Sequence, residues 1–162
     1  MPIALVPGSF DPFTLGHLDL VRRAAQVSDR VIVAVSHNPG KVTTLGIDVR
    51  VGIIRDTIQA EGLSERVSVE QLPAGLLVDG ARALGATHLV KGLRGPTDLA
   101  YEEPMARMNM ELAGLDTLFL LTDPRLAHVS SSLVREIFSL GADVGPFLPP
   151  AALAALTRHG AH

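Results

Sequence analysis

The chain has 162 residues, 47% of them apolar, and a formal net charge of -3. That length and composition suit one folded domain with a substantial core and exclude a disordered chain. The mild negative charge, the single Tyr and the lack of Trp argue against nucleic-acid partners, which call for clustered cations or stacking aromatics.

Residues 2–6 read as a buried strand, and 16–26 as an amphipathic helix. Between them lies Gly8-Ser9-Phe10-Asp11-Pro12-Phe13-Thr14-Leu15-Gly16-His17, a loop carrying a hydroxyl, an acid and a histidine. A helix start after a strand offers free backbone N–H groups and a positive dipole end, which suit a phosphate. Residues 30–36 form a second, β-branched strand, of the kind covered on both faces in a parallel sheet. His37-Asn38-Pro39-Gly40-Lys41 reads as a loop. Asp48 reads as the N-cap of a helix running to about Ala60.

A short third strand covers 67–69, and a helix covers 76–84, closed by Gly85. Residues 87–91 form a fourth strand, followed by Gly92-Leu93-Arg94-Gly95-Pro96. The next helix runs from Thr97 or Asp98 to about Ala113. Pro104 is expected to kink or split it near Glu102 and Glu103. A fifth strand covers 117–121 and a loop covers 122–129. Ser130-Ser131-Ser132 opens a helix with Leu133, Val134, Ile137 and Phe138 as its apolar face. A Gly- and Pro-rich connector leads to a last helix over about 151–158. Five strands alternating with helices predict an α/β fold: a single doubly wound, five-stranded parallel sheet in one domain spanning 1–162. The order of the strands does not follow from this pattern.

No apolar run reaches the roughly 18 residues that cross a bilayer. The N-terminus does not read as a secretion signal, and cysteine is absent, so a cytoplasmic location away from membranes is expected.

The chemistry-bearing residues fall just after the strands. Ser9 and His17 follow the first, Lys41 the second, Lys91 and Arg94 the fourth, and His128 with Ser130, Ser131 and Ser132 the fifth. Taken singly, each has a plain structural reading: a loop hydroxyl, a solvated charge or a helix cap. Together they put cations and hydroxyls on one end of the sheet, which is a site for a polyanion such as a phosphate ester. The sequence lacks a G-x-x-x-x-G-K-[ST] loop, a G-x-G-x-x-G after the first strand and a G-x-S-x-G elbow, and its six histidines lack paired metal spacing. Those absences argue against a P-loop enzyme, a nicotinamide or flavin enzyme, an α/β-hydrolase and a protein-held zinc.

Pro7-Gly8-Ser9-Phe10-Asp11-Pro12 followed by Thr14-Leu15-Gly16-His17 resembles the first signature of the nucleotidyltransferase superfamily with the T/H-x-G-H motif. Val129-Ser130-Ser131-Ser132-Leu133-Val134-Arg135-Glu136 resembles its second, I-S-S-S/T-x-x-R/K. Lys91-Gly92-Leu93-Arg94, with Asp98, Tyr101-Glu102 and Met108-Asn109 beyond, narrows the resemblance to the phosphopantetheine adenylyltransferase family. It implies a Rossmann-like nucleotidyltransferase fold and reversible transfer of AMP from ATP to 4′-phosphopantetheine, giving dephospho-coenzyme A and pyrophosphate. It also implies a homohexamer, Mg²⁺ carried in with ATP, and coenzyme A as a feedback inhibitor.

Carried over by position, Ser9 would lie between the two substrates, with His17 and Lys41 at the reacting phosphates. Phe10, His17, Gly92, Leu93, Arg94 and Glu102 would contact ATP, as would the run Leu126, Ala127, His128, Val129, Ser130, Ser131 and Ser132. Lys91, Leu76, Leu77 and Asn109 would serve the phosphopantetheine. Lys91 departs from the Arg that many members carry, keeping the charge but losing the bidentate fork. A relative with another phosphate acceptor, such as nicotinamide mononucleotide, and a non-catalytic sensor of nucleotide or coenzyme A remain as alternative readings.

Overall fold

The structure is a computed structural model that describes residues 1–37, 40 and 42–160. Five strands, β1 (Ile3–Gly8), β2 (Arg30–Val35), β3 (Val67–Gln71), β4 (His88–Leu93) and β5 (Asp116–Leu121), form one all-parallel sheet in the order β3-β2-β1-β4-β5. The intervening helices are α1 (Leu15–Val27), α2 (Ile47–Ala60), α3 (Leu77–Ala83) and α4 (Pro96–Ala113). After β5 come α5 (Ser131–Ser139), a 3₁₀ turn over Gly145–Phe147, and α6 (Pro150–His159). The α/β class, the parallel sheet and its five strands are as the sequence predicts.

Side chains alternate across the strands, so each face of the sheet has its own core. Ala4, Val6, Val31, Val33, Val67, Val69 and Val90 join Leu18 and Val21 of α1, Ile54 and Ile58 of α2, and Leu156 of α6 in the larger cluster. Leu5, Ile32, Ala34 and Leu89 face the other way, onto Val78 and Ala81 of α3. No helix among the described residues is long and apolar enough to cross a membrane.

The order reverses between β1 and β4, and that switch point is where ligands bind in open α/β sheets. The registers show how it opens. β1 runs beside β2 over all six residues, from Ile3↔Arg30 to Gly8↔Val35. Its register with β4 comprises only Ala4↔His88 and Leu5↔Leu89. Beyond Leu5 the carboxyl halves of β1 and β4 part, and their last residues become walls of a cleft.

Three expectations are corrected. Asp48 is not the N-cap of α2; Gly46 is, without a side-chain bond, and Asp48 sits in the first turn, where its carboxylate accepts from Gln71 Nε2 at 3.0 Å. Pro104 does not split α4, which runs unbroken for 18 residues. Both Pro104 and Ala100, whose carbonyl it leaves unbonded, are exposed, so water can take the missing donor's place. Residues 92 and 93 belong to β4 rather than to the loop after it.

Candidate active site

A cavity of about 550 Å³ opens at the carboxyl ends of β1 and β4. Val6, Pro7 and Gly8 form one wall, and Val90, Lys91 and Gly92 the other; Arg94, Asp98, Tyr101 and Glu102 come from β4–α4, and Val129, Ser130 and Ser131 from the start of α5. A second cavity of about 320 Å³ adjoins it, lined by Ser9, Ser36, His37, Leu72, Pro73, Leu76 and Leu77. Pro7, Gly8 and Lys91 line both cavities. Gly8 leaves no room for a side chain here: a Cβ on it would lie 2.8 Å from the Phe10 ring.

His17 is held by its own helix end. Thr14 caps α1, accepting from the His17 N–H at 3.3 Å, and its own N–H donates to His17 Nδ1 at 3.0 Å. That arrangement is a capping box with histidine in the place usually taken by Glu or Gln. An accepting Nδ1 leaves the ring proton on Nε2. The ring stacks on Phe13 at 5.6 Å and meets Phe10 edge-on at 5.0 Å. Burial, reinforced by the Arg94 charge, lowers its pKa from 6.5 to about 4. At neutral pH His17 is therefore a neutral donor at the edge of the cavity.

The loop between β1 and α1 is fixed from three directions. Phe10 takes a left-handed conformation, φ 49°, which for a bulky residue costs about 1–3 kcal/mol and persists only when its neighbours enforce it. The Asp11 carboxylate accepts from the N–H groups of Thr44 at 2.8 Å and Leu45 at 2.9 Å. Arg50, fully buried, donates to the Ser9 carbonyl at 2.6 Å. From α5, Ser131 Oγ donates to the Pro12 carbonyl at 2.8 Å and Arg135 to that of Asp11. The two sequence signatures, over 110 residues apart, thus meet as neighbouring parts of one device.

The cations on the β4 side are already paired. Lys91 Nζ lies 3.3 Å from Glu102. Arg94 binds Asp98 through its backbone N–H at 2.9 Å and through Nε at 3.0 Å. That side-chain hydrogen bond, with the neighbouring charge, holds the Asp98 carboxyl below its usual range.

Most of the residues singled out in the sequence come together here. Phe10, His17, Lys91, Gly92, Arg94, Glu102, Val129, Ser130 and Ser131 line the larger cavity, and Ser9, Leu76, Leu77 and Lys91 the smaller. Lys41 lies outside the described residues. Leu93, at the end of β4, and Asn109, in α4, are buried, and neither lines either of these two cavities. Leu126, Ala127, His128 and Ser132 are not lining residues either; the His128 ring turns edge-on to Phe147 at 6.0 Å. Ser130 is the N-cap of α5, accepting from Leu133 N–H at 3.1 Å. Sequence reasoning assigned no role to Thr14, Arg50 or Asp98. Thr14 did leave a signal, since T-x-x-H ahead of an apolar run has the spacing of a capping box.

Residues 5–137 match the cytidylyltransferase-like family model. A phosphopantetheine adenylyltransferase of Clavibacter michiganensis subsp. michiganensis is 54% identical over 95% of this chain and 94% of its own. The chain belongs to the phosphopantetheine adenylyltransferase family. The relative from Corynebacterium diphtheriae is 47% identical over 96% of each chain. Among solved structures, the nicotinic acid mononucleotide adenylyltransferase of Plasmodium falciparum complexed with NaAD superimposes with a TM-score of 0.74 over 99% of this chain and 96% of that one. At 13% identity, that likeness speaks for the fold of the family and not for its acceptor. A deep β1–β4 cleft with a second cavity alongside is what this family's fold provides here.

Proposed function

We propose that this protein transfers AMP from ATP to 4′-phosphopantetheine, releasing pyrophosphate and forming dephospho-coenzyme A. Membership of the family supports the reaction. The observation that carries its layout is the pair of cavities meeting at Pro7, Gly8 and Lys91. One is large enough for a nucleotide; the other is smaller, lined by Leu72, Pro73, Leu76 and Leu77 together with Ser9, Ser36 and Lys91, and suits a slender amphipathic arm ending in a phosphate.

A phosphate monoester is mostly dianionic at pH 7, since its second pKa is about 6. It attacks the α-phosphorus directly, and no protein nucleophile or strong base is required. The protein's work is alignment and charge stabilisation. Ser9, whose hydroxyl has no hydrogen-bond partner among the described residues, would orient the attacking phosphate. His17 would donate from Nε2 to the α-phosphate as charge moves to the leaving pyrophosphate. Lys91 would hold the acceptor phosphate from the shared wall. Arg94, with Ser130 and Ser131, would take the β- and γ-phosphates. Lys41 would add charge at the reacting centre, and Asn109 would support the pantetheine side.

Magnesium would arrive on the ATP phosphates and offset their charge. Among the described residues no group of three or more His, Cys, Asp or Glu is placed to hold a metal. The two carboxylates lining the cavity, Asp98 and Glu102, are engaged by Arg94 and Lys91. That donor set fits an ion brought by phosphate and water rather than one caged by protein.

Homo-oligomerisation, with a hexamer as the family expectation, gains support from α4. Tyr101, Met105, Met108 and Leu112, spaced four, three and four residues apart along one face of it, are all exposed, an apolar stripe of the kind a second copy could cover. Coenzyme A, sharing the product's pantetheine arm, would compete for both cavities as a feedback inhibitor in the cytoplasm.

Pyrophosphate release measured with ATP and 4′-phosphopantetheine, against nicotinamide mononucleotide and no acceptor, tests the reading. Release with phosphopantetheine alone is expected. Release only with another acceptor would replace the substrate, and tight ATP binding without any release would make the protein a sensor.

A further inference from the structure

We propose that Arg50 is a positioning residue for the transfer: by fixing the backbone of the β1 loop, it holds Ser9 in the smaller cavity, next to the Gly8 wall that the two cavities share. The inference rests on the adenylyl-transfer reading above. Arg50 stands on α2, outside both cavities, and is 0% exposed. In a sequence it looks like an ordinary helix charge.

Its guanidinium gathers three carbonyls from three separate segments. Nη1 donates to Ser9 at 2.6 Å and to Ser36 at 3.1 Å, and Nε donates to Leu45 at 3.0 Å. Ser9 follows β1, Ser36 follows β2, and Leu45 precedes α2. One side chain thereby ties the β1 loop to both ends of the segment after β2, the segment that contains Lys41 in the sequence. Asp11 reinforces the same seam from the loop's other side through Thr44 and Leu45.

A buried cation is costly to keep. Core filling alone would be served as well by an apolar side chain of similar volume. What an apolar side chain cannot do is satisfy the Ser9 and Ser36 carbonyls at once. The hardest backbone to hold lies just beyond: Phe10 is left-handed, flanked by Ser9 on Arg50 and by Asp11 on Leu45. An error in this loop would therefore move Ser9, the group that orients the attacker. Lysine would keep the charge without the planar fork that reaches carbonyls in two directions.

The test is a double-mutant cycle on the full chain, measuring steady-state pyrophosphate release. Arg50→Lys is expected to lower kcat about tenfold to a hundredfold, the scale of a misplacement near 1 Å, with KM for ATP within about threefold of wild type. In a Ser9→Ala background the same substitution is expected to lower kcat less than about threefold, because the group it positions is already gone. Multiplicative losses would overturn the proposal, as would a wild-type kcat in either single variant or a loss confined to KM for ATP. Thermal melting and ATP binding identify folded variants. If Arg50→Lys does not fold, Asp11→Asn, which loosens the same loop, takes its place in the cycle: a loss that shrinks in the Ser9→Ala background supports the proposal, and a multiplicative one overturns it. An inactive wild type would overturn the reaction itself, whereas an active wild type with multiplicative losses would overturn the role of Arg50 alone.

Discussion

Two helix starts face each other across the cleft, and they are built on opposite plans. α1 begins with a satisfied cap, buries Leu18, Val21, Ala24 and Ala25, and fixes His17 by hydrogen bonds and ring contacts. α4 begins at Gly95 without a side-chain cap, buries only Asn109 of its 18 residues, and presents Asp98 and Glu102 as partners for Arg94 and Lys91. The α1 side is preorganised, with its donor neutral and already aimed. On the α4 side the groups are charged, partly exposed and held by ion pairs for which, on the proposed reading, an incoming phosphate would compete. Groups acting on developing charge gain most from being fixed beforehand, whereas groups that grip a ground-state phosphate tolerate rearrangement.

The comparison breaks first at His17. His17→Ala is expected to lower kcat by about 10²–10³, the cost of removing one preorganised donor. The fold should persist, since Thr14 still caps α1 through the backbone of residue 17, although the ring's contacts with Phe10 and Phe13 are lost. Steady-state kinetics beside a thermal melt would check both. Turnover near wild type would mean that the α1 side does not act in the transition state.

Lys91 comes next. Lys91→Ala would remove the charged contact proposed for the acceptor phosphate, and such contacts are worth about 1.5–3 kcal/mol or roughly 10- to 100-fold. The loss should appear in kcat/KM for phosphopantetheine far more than for ATP, as measured by varying each substrate. Lys91→Arg restores the charge and adds a fork, and is expected to recover most of the loss.

How much of this was legible before folding differs between the two sides. The strands showed themselves as β-branched apolar runs, and His17 and the triple serine as motif residues. The strand order was not legible, because periodicity says which face a residue takes and nothing about which strand lies beside it. Nor was the division of labour within the serines. Ser130 caps α5 and Ser131 braces the β1 loop, the second role fixed by a contact over 110 residues away in sequence. Arg50 was invisible for the same reason: its burial exists only once the segments after β1 and β2 converge on α2. On the α4 side, Asp98 and Glu102 were legible as motif residues but their pairing with Arg94 and Lys91 was not, although Arg94 and Asp98 stand four apart as helix neighbours do.

A smaller effect is expected at Asp98. Its pair with Arg94 is partly exposed, with side chains 26% and 45% accessible respectively, and such pairs contribute about 0–1 kcal/mol. Asp98→Asn should shift KM for ATP no more than about fivefold, in either direction, with kcat unchanged, as read from initial rates. A large fall in kcat would show that the α4 side is preorganised after all.

The smallest effect sharpens the contrast most, because it asks whether His17 titrates during turnover. Its pKa of about 4 lies below the ordinary 6.5, so the unfolded chain binds its proton more readily than the folded one. The neutral ring's contribution to stability is therefore complete above pH 6.5 and is lost as pH falls from there towards 4. At pH 5 roughly a tenth of the folded molecules would carry a charged His17, with the pKa at about 4. The acceptor phosphate, with its second pKa near 6, is by then mostly a monoanion. The acid limb of kcat/KM should accordingly follow the phosphate near pH 6, and His17 should add little until pH approaches 4. An NMR titration of the His17 ring, beside the pH–rate profile and melts of wild type and His17→Ala between pH 4 and 7, separates the two ionisations. A ring titrating near 6.5 would mean that the burial imposed by Phe10, Phe13 and the capping box does not keep His17 neutral, and the α1 side would lose the feature that sets it apart from α4.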